Sequence, residues 1–195
     1  MKAQTTPNLS VEEYLRQEIE TDTKYEYHDG KIYSLAGGTL NHGIISGNIH
    51  SDIKVELEKK NSNCLPFNSD IKLHIESMNR YVYPDCMVVC GEIEKSPINE
   101  NAVVNPVLII EVLSKSTASY DRGDKFYFYR QIPSFNEYVL IEQDKHVVDV
   151  HLKEDSSDFW KITRYEELDT IVKLESIGVE LSMERLYQRT EIDLI

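Results

Sequence analysis

Two acidic residues stand out because each lies within an apolar segment. Asp85 falls in the run YPDCMVV at residues 83–89, and Glu111 falls in IIEVL at residues 109–113. Burying a charged carboxylate without a partner costs roughly several kcal/mol, so such groups are usually paired or bound. If the two segments are neighbouring strands, the carboxylates can converge on one point. Two carboxylates with room for water suit Mg²⁺ or Mn²⁺, and a metal there would orient a phosphate and activate water.

A lysine that follows the Glu111 segment is a candidate partner for the two acids. In a helix predicted over residues 119–131, Asp121, Lys125 and Tyr129 are spaced four residues apart and therefore share one face. The ammonium group of Lys125 would stabilise the charge that develops on a phosphate under attack. Spacing alone leaves a second interpretation open, in which Asp85 and Glu111 form a buried ion-pair network with Lys125 or Lys72.

Several short motifs follow one another along the chain. They are KYEYHDGK at residues 24–31, AGGTLNH at 36–42, YPD at 83–85, EVLSKST at 111–117, DRGDKFYFY at 121–129 and NEY at 136–138. Each motif alone is unspecific, but the ordered set spans roughly residues 9–140. This set resembles the Uma family of restriction-endonuclease-like proteins, within the PD-(D/E)xK nuclease superfamily.

The resemblance implies a fold, a cofactor and roles for particular residues. The implied fold is an α/β (α+β) restriction-endonuclease-like core, with a mixed central β-sheet flanked by helices and additional C-terminal β-hairpins. Asp85 and Glu111 would bind Mg²⁺ or Mn²⁺, and the main-chain carbonyl of Val112 would complete the ligand set. Glu26 and His42 match recurring family positions and would add a third carboxylate and a proton-transfer group. DNA is the implied substrate, and a homodimer is the implied assembly.

The sequence departs from the superfamily pattern at the catalytic lysine. That lysine normally comes two residues after the glutamate, but position 113 is leucine. By analogy with the Uma motifs the role passes to Lys125, and Lys72 is the second candidate.

Glu26 and His42 also have simpler interpretations when the family is set aside. Glu26 would be a hairpin residue paired with a cross-strand lysine such as Lys31. His42 would be an N-terminal helix residue that is satisfied by the backbone. As a proton-transfer group, its imidazole would lie near the start of the long helix, where the helix dipole disfavours its protonation.

Local patterns predict the elements that position these residues. A capping box at residues 10–13 begins a helix that ends near Thr21. Asp29-Gly30 marks a tight hairpin, and apolar residues at helical spacing predict a helix of about twenty residues from Leu40. Further elements are strands at 63–67, 71–75, 81–90 and 106–114, the helix at 119–131, a hairpin at 137–141 and 146–152, strands around Trp160 and Ile171, and a short helix at 182–188.

The composition is that of an ordinary globular protein. The 195 residues predict one domain over 1–195, with the core at about 9–152 and a C-terminal extension at 153–195. The sequence has neither an apolar run of the ~20 residues that span a bilayer nor a signal peptide, which predicts a cytoplasmic protein without a membrane partner. Three cysteines without metal-site spacing are interpreted as buried thiols.

The net charge of −13 argues against a wide basic surface for nucleic acid. Residues 31–130 nevertheless carry eleven basic and twelve acidic groups and are therefore close to neutral. A polyanionic substrate would bind in this part of the chain. The leading hypothesis is a metal-dependent endonuclease that hydrolyses phosphodiester bonds in DNA. The alternative is a non-catalytic interaction protein that retains the fold and binds a protein partner through an acidic surface.

Overall fold

A computed structural model describes residues 3–4, 8–35, 37–154 and 158–192. Its α-helices are α1 (Val11–Thr21), α2 (Leu40–Lys59), α3 (Ala118–Tyr120), α4 (Phe126–Tyr129) and α5 (Met183–Leu186). Its strands are β1 (Ala3–Gln4), β2 (Tyr25–His28), β3 (Lys31–Ser34), β4 (Cys64–Asn68), β5 (Lys72–Ile75), β6 (Arg80–Val82), β7 (Cys86–Cys90), β8 (Ala102–Val103), β9 (Leu108–Leu113), β10 (Glu137–Glu142), β11 (Val148–Lys153), β12 (Trp160–Tyr165), β13 (Ile171–Leu174) and β14 (Val179–Ser182). Within these described ranges no helix has both the length and the apolar character that crossing a membrane requires.

The two long helices begin at polar caps. The Ser10 hydroxyl accepts a hydrogen bond from the Glu13 amide, and the Glu13 carboxylate accepts one from the Ser10 amide, which is the predicted capping box. The hydroxyl of Thr39 accepts a hydrogen bond from the His42 amide at the start of α2. Both helices agree with the predicted boundaries.

A mixed six-stranded sheet lies at the centre of the fold. Its strand order is β12-β11-β10-β9-β7-β4, with β9 and β10 parallel and the other pairs antiparallel. On one face Ile45, Ile49 and Ile53 of α2 share a core with Ile110 of β9. On the other face Tyr129 of α4 packs in a second core that includes Ile109. This arrangement confirms the predicted mixed sheet with flanking helices.

A second six-stranded sheet was not predicted. Its order is β1-β3-β2-β6-β5-β8, and it contains the predicted hairpin of β2 and β3. The prediction of one strand over 81–90 is wrong, because β6 belongs to this second sheet whereas β7 belongs to the central one. Pro84, which lacks a backbone donor, lies in the break between them. Asp85 therefore lies where the chain passes from one sheet to the other.

The C-terminal segment packs on the central sheet. β13 and β14 form the predicted hairpin, and α5 follows it. Val172, Leu181 and Leu186 from this segment are buried in the same core as Ile49 of α2.

Two of the three cysteines are not the buried thiols that the sequence predicted. Cys64 and Cys90 lie opposite each other on the paired strands β4 and β7, are half-buried, and are joined by a disulfide bond. Cys86 is the buried free thiol. The interpretation was wrong for the bonded pair because strand register, which brings the two sulfur atoms together, is not visible in sequence spacing.

Candidate active site

The structure places Asp85 and Glu111 on adjacent chain segments. Asp85 directly precedes β7, and Glu111 lies within β9, which pairs antiparallel with β7 so that Cys86 faces Ile110. The Val112 amide donates a hydrogen bond to Oδ2 of Asp85 at 2.8 Å. This hydrogen bond fixes the start of β7 against β9, the strand that carries Glu111.

Glu111 is almost completely buried, with 3% of its surface exposed. Its Oε1 accepts hydrogen bonds from Nζ of Lys125 at 2.9 Å and from the hydroxyl of Tyr129 at 2.7 Å. Burial raises the pKa of Glu111 to about 8. The Lys125 charge opposes this shift, and the charges of Asp121 and Asp85 add to it. Glu111 therefore holds a proton more readily than an exposed carboxyl group does.

Lys125 lies at the end of a π-helical turn, Asp121–Lys125, that joins α3 to α4. Its Nζ lies 2.9 Å from Glu111, 3.3 Å from Oδ1 of Asp121 and 3.6 Å from Oε1 of Glu26. Burial alone would lower the pKa of Lys125, but the charge of Glu111, followed by those of Tyr129, Glu26 and Asp121, raises it well above its usual value. Lys125 is thus a buried ammonium group surrounded by acids.

Glu26 joins this cluster from the second sheet. Its side chain is buried, with Oε1 directed at Lys125 and Oε2 3.1 Å from Nε2 of His28. Burial raises the pKa of Glu26, but Lys125 and His28 outweigh it and lower that pKa. The alternative pairing with Lys31 is wrong, because Lys31 lies opposite His28 and the partner of Glu26 in the register is Tyr33.

His42 lies in the first turn of α2 and contacts the other acid. Its Nε2 is 3.2 Å from Oδ2 of Asp85. The hydrogen bond to Asp85 raises the pKa of His42 more than burial lowers it. The prediction that protonation of His42 is disfavoured is therefore wrong, because the contact with Asp85 raises the pKa of the imidazole above its usual value.

The protein donors converge on one oxygen of each acid. His42 and the Val112 amide both contact Oδ2 of Asp85, and Lys125 and Tyr129 both contact Oε1 of Glu111. The side chains of Asp85 and His42 are 16% and 22% exposed, so the site reaches solvent on the Asp85 side.

The acids offer oxygen ligands rather than a preformed metal cage. Among the residues that the structure describes, no three His, Cys, Asp or Glu side chains are arranged to hold a metal ion. Mg²⁺ commonly keeps several waters and binds through one or two carboxylates, so Asp85 and Glu111 fit that class of ion. The amide of Val112 contacts Asp85, and the role of its carbonyl as a ligand stays a prediction.

The second lysine candidate lies in a different environment. Lys72 forms an ion pair with Glu18 and lies over the rings of Tyr14 and Tyr83. Lys125 is the lysine that the structure brings to Glu111.

Two residues beside the site were missed from the sequence. His28 contacts both Glu26 and the hydroxyl of Tyr120, which lies 3.2 Å from its Nε2. A histidine two residues from a glutamate on one strand shares its face, and this spacing could have indicated His28. No sequence signal indicated Tyr120.

Comparisons with known proteins agree with this architecture. The model of the Uma2 family, described as "Putative restriction endonuclease", matches residues 11–184. The chain is 35% identical to the uncharacterized Synechocystis protein slr1290 over 182 residues, which are 93% of each chain. It is 36% identical to the uncharacterized Synechocystis protein sll1609 over 163 residues, covering 84% of this chain and 90% of the relative.

A solved structure shares the fold. It is the crystal structure of "a putative nuclease belonging to DUF820" from Anabaena variabilis, with a TM-score of 0.71 at 20% identity. The superposition covers 92% of this chain and 97% of that one. The fold is therefore restriction-endonuclease-like, and the chain belongs to the Uma2 family of nuclease-like proteins.

Proposed function

We propose that the protein is a metal-dependent endonuclease that hydrolyses phosphodiester bonds in DNA, with Asp85 and Glu111 as ligands of Mg²⁺ or Mn²⁺. The observation that carries this proposal is the convergence of four protein donors on Oδ2 of Asp85 and Oε1 of Glu111. Oδ1 and Oε2 are then the oxygens that face a cation. Membership of the family supports the same activity.

The residues around the acids have separate tasks in this proposal. When bound, the metal polarises the phosphate and lowers the pKa of a coordinated water. Lys125 opposes the effect of burial on Glu111 and so favours the ionised carboxylate, and its charge also stabilises negative charge on the phosphate. The carbonyl of Val112 is the proposed third protein ligand.

Proton transfer is assigned to His42. Its Nε2 shares a hydrogen bond with Asp85, and its pKa is raised by that contact, so the ring carries a proton more readily than a free imidazole. Because the side chain is partly exposed, the proton can pass to the departing oxygen or to water. Glu26 acts on the site through Lys125, whose Nζ it contacts.

A second function is favoured by one observation. Glu111 and Lys125 are both buried and hydrogen-bonded to each other, as in a structural ion-pair network. If the network serves only stability, the protein would be a non-catalytic interaction protein whose net charge of −13 provides an acidic binding surface. Cleavage assays separate the two functions.

The test is nicking of supercoiled plasmid DNA in the presence of Mn²⁺ or Mg²⁺, with an RNA substrate in parallel. The wild-type protein should nick DNA, and Asp85→Asn and Glu111→Gln should abolish nicking because each removes a charged metal ligand. Glu58→Gln is the matched control, since Glu58 is an exposed acid on α2. Folded wild-type protein that leaves both substrates intact with both metals would favour the interaction protein. Nicking that survives in both site variants would contradict the assigned ligands.

The proposed assembly is a homodimer, as the resemblance implies. Sedimentation equilibrium should give twice the chain mass of 22.6 kDa. A monomer at assay concentrations would contradict the homodimer but not the assignment of Asp85 and Glu111 as metal ligands.

A further inference from the structure

A cavity of about 520 Å³ lies next to the acids Glu26, Glu111 and Asp121 that surround Lys125. It shares two residues with the site, because His28 and Tyr120 line the cavity and His28 also contacts Glu26. Glu26 in turn contacts Lys125. His28 and Glu26 thus connect the cavity to Lys125 of the proposed cleavage site.

One wall of the cavity carries a row of basic residues. Lys31 lies opposite His28 across β3 and β2, and His28 lies opposite Arg80 across β2 and β6. All three residues line the cavity. Nε of Arg80 is buried and makes no hydrogen bond with any described residue.

Three aromatic rings, those of Tyr33, Tyr120 and Phe128, also line the cavity. The ring of His28 lies 4.6 Å from that of Tyr33 and 6.0 Å from that of Tyr120, measured between centroids. The guanidinium carbon of Arg80 lies 3.8 Å from the centre of the Phe128 ring. Such walls suit a flat ring, because every nucleobase has a π-face that stacks on aromatic side chains and on arginine.

Two acids decide which part of a nucleic acid fits. Asp29 and Asp124 line the cavity together with Lys31 and Arg80, so the formal charges of these four residues cancel. The cavity therefore has no excess positive charge with which to hold a phosphate. The edge of a nucleobase carries both donors and acceptors, and it would pair with carboxylates and basic groups alike.

We infer that this cavity binds an unpaired nucleobase of the strand that is cut, close to the scissile phosphate. The inference rests on the proposed nuclease function for its substrate. The cavity volume lies in the range of about 300–1,000 Å³ that is typical of small-ligand pockets. A paired base is held in the stack of the duplex and would have to be extruded first, which costs free energy. The preferred substrate is therefore a strand with an unpaired base, such as a bulge or a single-stranded segment.

The test is fluorescence anisotropy with a labelled DNA duplex that contains one unpaired adenine, compared with the same duplex fully paired. RNA versions of both probes distinguish the two nucleic acids. Binding is measured with Ca²⁺ and with EDTA, so that no cleavage is needed. Wild-type protein should bind the bulged probe about tenfold more tightly, which is the scale of one base–aromatic stack.

Variants connect this preference to the cavity. Tyr33→Ala should remove most of the preference and Tyr33→Phe should keep it, because the phenylalanine ring still stacks. Asp124→Ala, at an exposed position, should also reduce the preference. Tyr127→Ala is the matched control, since Tyr127 is 51% exposed and does not line the cavity.

Two results would overturn the inference. One is equal binding of both probes by wild-type protein, and the other is an unchanged preference in folded Tyr33→Ala and Asp124→Ala. A preference for the bulged probe without nicking of any substrate would support nucleobase binding in the cavity and contradict the nuclease function. Nicking without such a preference would support the nuclease function and contradict nucleobase binding in the cavity.

Discussion

Nζ of Lys125 lies 2.9 Å from Oε1 of Glu111, and both side chains are buried. The same ammonium contacts Asp121 and Glu26, so one cation faces three acids from three different elements. Removing one member of a buried, charged cluster leaves the others uncompensated. Lys125 is therefore important for stability as well as for the proposed chemistry.

Replacing this lysine should destabilise the fold. We expect Lys125→Met to lower the free energy of unfolding by about 3–5 kcal/mol, because the neighbouring carboxylates lose their shared counter-charge. Urea unfolding followed by circular dichroism measures the change. Lys54→Met is the control, since Lys54 is exposed on α2 and should change stability by less than about 0.5 kcal/mol. A loss below about 1 kcal/mol in Lys125→Met would show that the acids are not charged around it.

Glu137 is a buried strand acid with a structural role. Its carboxylate accepts hydrogen bonds from the amides of Glu175 and Ser176 and from the Ser176 hydroxyl, which fixes the turn after β13 to the central sheet. Glu137→Gln places an amide donor against these donors and should cost about 1–3 kcal/mol in thermal or urea unfolding. Metal binding should be unchanged. A reduced affinity for Mn²⁺ in this variant would indicate that the two regions are coupled.

Asp149 should make stability depend on pH at the acid end. Burial raises its pKa, but hydrogen bonds from Arg164 and Arg122 outweigh burial and lower that pKa. A carboxyl with a lowered pKa stabilises the fold above its unfolded value of 3.8, and this contribution is lost as the pH falls through the folded value.

Asp149→Asn tests this dependence. The variant should lose about 2 kcal/mol at neutral pH, less than for a fully buried pair because Arg164 is 52% exposed. Its stability should approach that of the wild-type protein below about pH 3. Urea unfolding across pH 2.5–7 gives both curves. A constant difference at every pH would contradict the ionised pair.

Features set by local sequence could be predicted. The capping box at Ser10 and the helical spacing from Leu40 each act within a few residues, and both helices lie where they were predicted. The strand over 81–90 was predicted wrongly because the pairing of β6 with β2 and of β7 with β9 depends on distant parts of the chain. The second sheet and the bond between Cys64 and Cys90 were missed for the same reason.

In the candidate site, too, local sequence patterns indicated some features, whereas others depend on distant parts of the chain. A charge within an apolar segment indicated Asp85 and Glu111, and a shared helical face indicated Lys125. Glu137 and Asp149 are also buried strand acids, and they are satisfied by structural partners, so burial of a charge alone does not identify a site. Which oxygen of each acid is hydrogen-bonded depends on register and side-chain direction, which the sequence does not contain.

Direct measurement of Mn²⁺ binding by isothermal titration calorimetry tests the metal site most directly. The wild-type protein should bind Mn²⁺ with a measurable heat, Asp85→Asn and Glu111→Gln should lose that binding, and Glu137→Gln should retain it. The assignment of these two acids as metal ligands would be contradicted if folded wild-type protein did not bind Mn²⁺. It would also be contradicted if both site variants bound Mn²⁺ with the affinity of the wild-type protein.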